Sequence, residues 1–532
     1  MTEPSGAFPL RRRSFLAGAS AAASVLTAGS PAAFAQPRTE RPLLIRGAHV
    51  MTMGQVGDLR HTDVLVRGRD IAAIGPDLAA EGAEVIEAQD QILLPGLVDT
   101  HNHLWLSQMR GLFGRSPETR YFPLVERLGA AYRPQDMRTG TLFGAAGALA
   151  AGITTTLAYC DNIRFPEDAE AALDALVEAG IRTRFLYAGH DKLAPSETLG
   201  IDHLRHLHRS RAAWAGAAPI DLGLGWRTPS ADADEAVQVT ALTELRRVRE
   251  IGLPVSTHIS GDNGPSQLQF LLEHGLLGPD MLLVHATGAD PAALRAVEEA
   301  GAAIALTPIT EQRIGFGLTL LRHYTDRVGR VGLGIDGALA GAPDMFAVMR
   351  AGHMVQAAVG GDELAILPRQ ILRLATIEGA RAIGMDTLIG SLEPGKRADM
   401  ILIDPRDLHM GFPASDPSAL IVYSAKPENV RMVMVEGAVL KRNGRMAGID
   451  EQRLVEAAGQ SLATVRARAR EAARQSRRQR ECGDRLLTQR PSAAPPVIPA
   501  GHHAHSTTPA PRGVRDSRLS VGMSLASPCS GA

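Results

Sequence analysis

Cysteine is scarce in this sequence of 532 residues, and so are aromatic residues and any excess of charge. The three cysteines (Cys160, Cys482 and Cys529) are too few and too scattered for a disulfide framework, and no two have zinc-site spacing. Aromatic residues make up 4%, and 56 Lys and Arg nearly balance 57 Asp and Glu. Neither base stacking nor net charge therefore favours nucleic acid as a partner. Any metal site must use histidine and carboxylate ligands.

The apolar run near the N-terminus is short. Residues 11–16 (RRRSFL) are basic at their start, the Ala-rich run 17–28 follows, and residues 33–35 (AFA) are a small-residue cleavage site. This order predicts a signal peptide over residues 1–35, and its core resembles the twin-arginine export signal. We therefore expect a periplasmic or secreted protein without stable membrane insertion, because the run is too short to span a bilayer. A basic, disordered tail is the alternative.

Short apolar segments with turn residues between them occur near both ends of the chain. They predict strands over residues 36–94 and again over 390–445, which suggests one small β-sandwich domain built from both chain ends. Residues 446–482 have a helical pattern and form a predicted C-terminal extension. Residues 483–532 are rich in Pro, Ser and Ala without periodicity, which predicts disorder.

Between these flanks, apolar runs alternate with Ala/Leu/Glu-rich stretches of helical character. There are eight such runs, at residues 92–103, 153–159, 181–187, 220–226, 254–259, 281–285, 302–307 and 331–335. Strands that alternate with helices indicate parallel β-α units, and eight units predict an α/β fold with a (β/α)8 TIM barrel over residues 95–389. An open doubly wound sheet would need a Gly-rich phosphate turn after the first strand, and none is visible.

Histidines and an aspartate stand at the ends of four of these runs. His101 and His103 end the first run, His258 lies in the fifth, His285 ends the sixth, and Asp336 follows the eighth. Residues i and i+2 of a strand point to the same side, and the functional residues of such barrels collect at the C-terminal strand ends. A buried polar group left unpaired there costs about 1–3 kcal/mol. A shared metal ion would satisfy all five side chains. The alternative is that they are unrelated polar residues at the edge of the core.

Two segments resemble the amidohydrolase superfamily, and within it the cytosine deaminase and triazine hydrolase (chlorohydrolase) branch. They are residues 95–103 (PGLVDTHNH) and residues 390–399 (GSLEPGKRAD). The resemblance covers roughly residues 41–445. It implies a metal-dependent hydrolase in which both sandwich halves flank the barrel.

The resemblance also implies roles for individual residues. The implied ligands of one divalent metal are His101, His103, His258 and Asp336. His285 is implied to orient the attacking water or polarise the substrate oxygen, and Asp336 to accept the proton of that water. No lysine ends the fourth run, where binuclear members carry a carboxylated lysine, so we expect a single metal. Nitrogen and oxygen ligands favour zinc, with iron or manganese as alternatives.

The sequence departs from this pattern three residues after His258. Deaminases of the branch carry there a glutamate that protonates the substrate ring, and this chain has Gly261. Asp262 and Glu311 are the candidate substitutes. Glu311 follows the seventh strand, and we treat it as a catalytic proton donor or substrate anchor, against the alternative of a surface salt bridge with Arg313. Five further residues near the strand ends are candidates to shape the pocket or to pack: Trp105, Gln108, Tyr159, Asp161 and Trp226.

These patterns predict a hydrolase that uses a metal-activated water on a non-peptide carbon–nitrogen bond. A cyclic amide, an amidine or an N-heterocycle is the expected substrate, and a small molecule the expected partner. Hydrolysis of a carbon–halogen or lactone bond on the same site is the enzymatic alternative. A non-enzymatic metal- or ligand-binding barrel is the alternative of another class, and assembly into a homo-oligomer is left open.

Overall fold

The computed structural model describes residues 41–79, 81–190, 193–194, 196–412 and 416–488. The predicted signal peptide and the predicted disordered tail beyond Thr488 lie outside these residues. The chain divides into two compact units, Met1–Ala473 and Arg474–Ala532, and both sheets belong to the first. No helix among the described residues combines the length and apolar character that crossing a membrane requires.

The described residues contain seventeen strands. In chain order they are β1 (Leu43–Met51), β2 (Asp58–Arg67), β3 (Asp70–Gly75), β4 (Glu84–Glu87), β5 (Ile92–Pro95), β6 (Leu97–Asn102), β7 (Ile153–Ile163), β8 (Arg182–Gly189), β9 (Ile220–Trp226), β10 (Val255–His258), β11 (Met281–Val284), β12 (Ala303–Leu306), β13 (Val331–Leu333), β14 (Met400–Ile403), β15 (Val430–Val435), β16 (Ala438–Arg442) and β17 (Arg445–Met446).

The same part of the chain contains fifteen α-helices. They are α1 (Tyr121–Gly129), α2 (Pro134–Ala150), α3 (Pro166–Ala179), α4 (Ile201–Arg209), α5 (Arg211–Trp214), α6 (Glu235–Ile251), α7 (Gly264–Glu273), α8 (Pro291–Glu299), α9 (Pro308–Ile314), α10 (Leu321–Thr325), α11 (Met345–Gly360), α12 (Pro368–Leu374), α13 (Ile377–Ala382), α14 (Ser418–Ser424) and α15 (Glu451–Thr488). Short 3-10 turns occur at Leu104–Met109, Pro117–Thr119, Gly261–Asn263 and Pro427–Asn429.

Strands β6 to β13 form the predicted barrel. Each strand pairs in parallel with the next along the chain. A parallel bridge between Asn102, at the end of β6, and Asp336, just after β13, joins the first strand to the last. All residues of β11 and β12 are buried, as continuous apolar strands covered on both faces should be. The prediction of an α/β fold with a (β/α)8 barrel is confirmed.

The remaining nine strands come from both ends of the chain and form the second sheet. Their order is β17-β16-β15-β14-β5-β1-β2-β3, with β4 paired to β1. Most neighbours run antiparallel, and the sheet has a hydrophobic cluster of its own that includes Ile45, Val64, Leu93, Met400 and Met434. The small β-domain expected from both chain ends is therefore present, with hydrogen bonds linking its strands into one sheet.

One apolar run of the sequence serves both sheets. The predicted first barrel strand, residues 92–103, is wrong as a single element, because the chain changes sheets at Gly96. Strand β5 pairs with β1 and β14, and β6 begins the barrel. A Cβ on Gly96 would lie 1.9 Å from Thr154 Oγ1, so only glycine allows this close approach.

Local sequence sets several helix ends, and burial of one face holds the helices on the barrel. Asp290 accepts the amide of Ala293 at the start of α8, which is the usual role of an N-cap aspartate. Gly180 follows α3 with φ +73°, the left-handed conformation that favours glycine after a helix. In α4 the buried residues Ile201, Leu204 and Leu207 recur with helical spacing.

The predicted C-terminal extension, residues 446–482, corresponds to helix α15, which starts at Glu451 and ends at Thr488. Val465 and Ala469 are buried in the main hydrophobic cluster. Asp136 of α2 accepts hydrogen bonds from Ser461 (2.7 Å) and from Arg468 (2.6 Å). The first turns of α15 are therefore packed on the barrel.

A buried ion network joins the barrel to the second sheet. Arg182, at the start of β8, donates to both carboxylate oxygens of Asp399, at 2.7 and 3.1 Å, and also to Glu436. The backbone amide of Glu436 donates to Asp399 as well, at 2.8 Å. All three side chains are less than a tenth exposed. Burial opposes the charge of Arg182, but the two carboxylates raise its pKa above the ordinary value.

We predict that Arg182→Ala destabilises the fold by about 3–5 kcal/mol, because it leaves the buried carboxylate of Asp399 without its cation. Glu436 loses one of its three cations and keeps Arg69 and Arg397, at 3.3 and 3.5 Å. The matched control is Arg46→Ala, which removes an ion pair whose members are 49% and 68% exposed. That variant should lose less than about 1 kcal/mol. Urea unfolding of both variants measures the difference, and equal losses would contradict this account of the network.

Candidate metal centre and active site

The predicted site residues meet at one end of the barrel. His101 lies in β6, and His103 follows that strand by one residue. His258 is the last residue of β10, His285 follows β11 directly, and Asp336 comes just after β13. All of them stand at the C-terminal strand ends, where the functional residues of such barrels collect.

Two of these residues have an unusual backbone. His285 has φ +69° and Asp336 has φ +63°, the left-handed region that residues with a Cβ rarely adopt. Such a conformation costs about 1–3 kcal/mol and persists where the surroundings enforce it. Both strained residues direct their side chains to the same cluster, where Asp336 Oδ1 lies 3.3 Å from His101 Nε2 and Asp336 Oδ2 lies 3.8 Å from His285 Nε2.

The segments that carry these residues are hydrogen-bonded to one another. The amide of Asp336 donates to His101 O (2.8 Å), and the amide of His103 donates to Asp336 O (3.2 Å). Below them the fully buried carboxylate of Asp99 accepts the amide of Ile335 (3.0 Å) and the side-chain amide of Asn102 (2.6 Å). Burial raises the pKa of Asp99 to about 7, and the hydrogen bonds it accepts oppose that rise.

Three imidazole rings face one another through their Nε2 atoms. His101 Nε2 lies 3.0 Å from His103 Nε2 and 3.1 Å from His258 Nε2. Asp336 Oδ1 is 3.3 Å from Nε2 of both His101 and His103. Two overlapping groups, His101/His103/His258 and His101/His285/Asp336, keep their ligand atoms within 4.8 Å of one another.

These separations fit a divalent metal ion. Ligand atoms about 2.0–2.1 Å from a tetrahedral zinc ion stand roughly 3.3 Å apart, close to the distances seen here. His103 directs its Nδ1 to the carboxylate of Asp161 (2.9 Å), so a metal that displaces the proton of Nε2 finds the lone pair of that nitrogen directed toward the other two rings. Converging lone pairs repel unless a cation lies between them, and the donor set therefore fits a resident metal.

Burial and one carboxylate set the electrostatics of the histidines. Burial lowers the pKa of His101 to about 4 and holds that of His258 well below its ordinary value. Burial opposes the charged form of His103 too, but Asp161 outweighs it and raises the pKa of His103 to about 10. For Asp336, burial raises the pKa, whereas hydrogen bonds with His101 and His103 bring it well below the usual range. His101 and His258 are thus ready as neutral ligands, and Asp336 as an anionic one.

A second pair of side chains adjoins the cluster. His285 Nδ1 lies 3.0 Å from Glu311 Oε1, and His285 Nε2 lies 3.8 Å from Asp336 Oδ2. Thr307 donates its backbone amide to the same Glu311 oxygen (2.8 Å), and Thr319 donates its hydroxyl to the other. A carboxylate at Nδ1 fixes the orientation of the imidazole ring, as in other carboxylate–histidine pairs.

Glu311 lies at the same end of the barrel as the cluster, as the sequence predicted, and it contacts His285 there. Its side chain is buried, which rules out the alternative of a surface salt bridge with Arg313, and the guanidinium of Arg313 lies over the ring of Phe113 instead. Both carboxylate oxygens of Glu311 are occupied by protein donors. The second candidate substitute, Asp262, is exposed in the 3-10 turn after His258. The geometry gives Glu311 contact with His285 and no opening toward a substrate.

A cavity of about 450 Å³ opens beside the cluster. Of the predicted pocket residues, Tyr159, Asp161 and Trp226 line it together with His258. The other two predicted pocket residues do not line the cavity. Trp105 donates its indole N–H to Asp161 (2.7 Å), and Gln108 donates its side-chain amide to the hydroxyl of Tyr132 (2.6 Å). The volume is in the range of small-molecule sites.

Several residues of the site were missed by sequence reasoning. Asp99, Thr307, Thr319 and Phe316 were not singled out, although each contacts a predicted site residue or the segment that bears one. Asp99 lies inside the recognised segment 95–103 and directly follows two apolar residues of β6, which was an available signal. Thr307 and Thr319 gave none, because a threonine after a strand, like Thr307, or between two helices, like Thr319, is too common to mark a site.

Comparison with known proteins identifies the family. The model of the amidohydrolase family matches residues 92–440. The chain belongs to the amidohydrolase family. The predicted enzyme class, a hydrolase of carbon–nitrogen bonds other than peptide bonds, is thereby confirmed.

Individual relatives cover most of this amidohydrolase. It is 32% identical over 426 residues to a 5-methylthioadenosine/S-adenosylhomocysteine deaminase of Symbiobacterium thermophilum, a match of 75% of this chain and 93% of the relative. It is 27% identical over 443 residues to a 5'-deoxyadenosine deaminase of Methanosarcina mazei, which covers 80% and 99% of the two chains.

Solved structures show the same fold. An adenosine deaminase from Xanthomonas campestris with bound zinc has a TM-score of 0.67 at 23% identity, over 80% of this chain and 98% of the other. An atrazine chlorohydrolase from Arthrobacter aurescens complexed with zinc has a TM-score of 0.68 at 22% identity, over 79% and 100%. Both neighbours hold a divalent metal, and the amidohydrolase described here has a His/Asp group able to hold one.

We predict that Glu311→Gln lowers kcat roughly 10- to 100-fold, because a neutral amide is a weaker partner for His285 Nδ1 than a carboxylate and orients the ring less firmly. The metal content should stay unchanged, since Glu311 contacts none of the four candidate ligands directly. Steady-state kinetics with metal analysis of the purified variant measures both. Glu299→Gln, on the exposed face of α8, is the matched control, and full activity of Glu311→Gln would rule out this role.

Proposed function

We propose that this amidohydrolase uses one metal-activated water to hydrolyse a non-peptide carbon–nitrogen bond of a small molecule. The observation that supports the proposal is the convergence of three imidazole Nε2 atoms and one Asp336 oxygen at separations of 3.0–3.3 Å. The deaminase names of its relatives agree with chemistry at carbon–nitrogen bonds.

We assign His101, His103, His258 and Asp336 as the ligands of the metal. Zinc is our choice, because nitrogen and oxygen donors at tetrahedral separations suit it, with iron and manganese as alternatives. When bound, a divalent ion supplies a water that is activated at neutral pH, since the pKa of water falls toward about 7.

The chain's own residues carry the protons and stabilise the charge. Asp336 holds Oδ1 toward the ligand cluster and Oδ2 toward Thr307 and His285, so it can take the proton of the water and pass it to the leaving nitrogen. His285, with Glu311 at its Nδ1, presents Nε2 to the developing negative charge on the substrate. In this assignment Glu311 is a positioning residue, and the catalytic residues are Asp336 and His285.

Removal of the ligands tests the proposal. His101→Ala and His103→Ala should each abolish stoichiometric metal binding and lower kcat/KM on the order of 10³-fold or more, because the nucleophile is lost. Metal analysis and turnover measure these effects, and circular dichroism checks the fold. His206→Ala, at an exposed position of α4, should keep metal and activity. Intact metal content and turnover in the two ligand variants would overturn the proposal.

We further propose export by the twin-arginine route to the periplasm or the medium. The supporting observation is the sequence of residues 11–35, with its basic, apolar and small-residue regions in order. That route carries folded proteins, which suits an enzyme that acquires its metal before export. Arg12→Lys with Arg13→Lys should retain the protein in the cytoplasm, as measured by fractionation of expressing bacteria. Unchanged export of this variant would contradict the route.

A further inference from the structure

The part of helix α15 that follows Ala473 is strongly basic. Residues 474–480 (RQSRRQR) contain four arginines and no acidic residue. Between residues 466 and 480 the sequence has seven arginines against one glutamate, although the whole chain has a net charge of −1. Positive charge is therefore concentrated in one segment of a chain that is acidic elsewhere.

The four arginines of residues 474–480 form a cluster on one side of the helix. Arg477 and Arg478 lie three and four residues after Arg474, and Arg480 lies three residues after Arg477. Residues three or four apart are neighbours on a helix surface. All four side chains are exposed. The basic cluster thus presents four guanidinium groups to the same surroundings.

This spacing is unfavourable for the helix on its own. Like charges three or four residues apart destabilise a helix, and the basic cluster contains three such pairs, Arg474–Arg477, Arg474–Arg478 and Arg477–Arg480. An anionic partner offsets this repulsion. The planar guanidinium group suits phosphate in particular, because its parallel N–H groups bind two phosphate oxygens at once.

The composition around the basic cluster distinguishes between anionic partners. Residues 466–490 contain no Phe, Tyr or Trp, the side chains on which single-stranded nucleic acids stack their bases. Between residues 474 and 480 the arginines are accompanied by Gln and Ser alone, so this segment lacks the apolar face by which amphipathic helices enter a bilayer. A phosphate surface that is approached through charge alone fits both observations.

We propose that the basic cluster, Arg474, Arg477, Arg478 and Arg480, binds the phosphate headgroups of an anionic bilayer. Clusters of about four to eight basic residues on a helix are sufficient for such binding. The contact is peripheral, with the guanidinium groups at the headgroups and no part of the helix in the hydrocarbon. The proposed export would bring the chain to a membrane surface and away from nucleic acids. The proposed reaction at the metal centre is independent of this contact.

Sedimentation of the full chain with lipid vesicles tests the proposal. One set of vesicles is equimolar phosphatidylglycerol and phosphatidylcholine, and the other is phosphatidylcholine alone. We expect binding to the anionic set, and release when the salt is raised from about 0.1 M to about 1 M, where the Debye length falls from about 10 to about 3 Å. Equal binding to both sets, or anionic binding that resists the salt, would overturn the proposal.

A pair of double variants assigns the binding to the basic cluster. Arg477→Gln with Arg478→Gln should weaken binding to the anionic vesicles about 25-fold, roughly fivefold for each arginine removed, and Gln preserves helix formation. The matched control is Arg246→Gln with Arg295→Gln, at exposed positions of α6 and α8, which changes the net charge equally and should bind like the unmodified chain.

All these proteins share the basic segment at residues 11–13, so any binding that it causes is the same in each. Circular dichroism checks the helix content of both double variants, and turnover should be unchanged in both. Equal losses of vesicle binding in the two double variants would show an effect of net charge and would overturn the role of the basic cluster.

Competition with a short DNA duplex separates the two classes of polyanion. Duplex at the same phosphate concentration as the accessible lipid should leave the protein on the anionic vesicles. Displacement at a lower phosphate concentration would identify nucleic acid as the preferred partner and would contradict the proposal.

Discussion

The hydrogen bonds that close the barrel between β6 and β13 are the constraint on which the site depends. The backbone groups of His101 and His103 bond directly to those of Asp336, so three of the assigned ligands belong to one hydrogen-bonded unit. Asp99 ties the same segments from beneath through the amide of Ile335. Closure of the barrel therefore brings three of the four assigned ligands together.

Close approach of the first and last strands requires small residues. A Cβ on Gly334 would lie 2.9 Å from both backbone N and O of His101, and one on Gly332 would lie 2.4 Å from Thr100. The last strand thus uses glycines where it contacts the strand that bears the first two histidines. This close approach allows the 3.3 Å separations between Asp336 and the two histidines of the first strand.

Carboxylates next to the cluster hold two of its histidines in place. Asp161 orients His103, and the indole of Trp105 donates to the same carboxylate oxygen. On the opposite side Glu311 orients His285. Each histidine that faces a carboxylate through Nδ1 is fixed in both ring orientation and tautomer, which a metal centre and a proton carrier both require.

The sequence by itself determined the barrel, the order of its strands and the identity of the five clustered side chains, because buried parallel strands are continuous apolar runs and polar residues at their ends stand out. It could not determine where the run 92–103 changes sheets, since both halves are fully buried and the apolar residues continue across Gly96. Nor could it place Glu311 on His285, or Phe316 beside Gly261. Those contacts join residues from different β-α units, and only the packing of the closed barrel brings them within reach of one another.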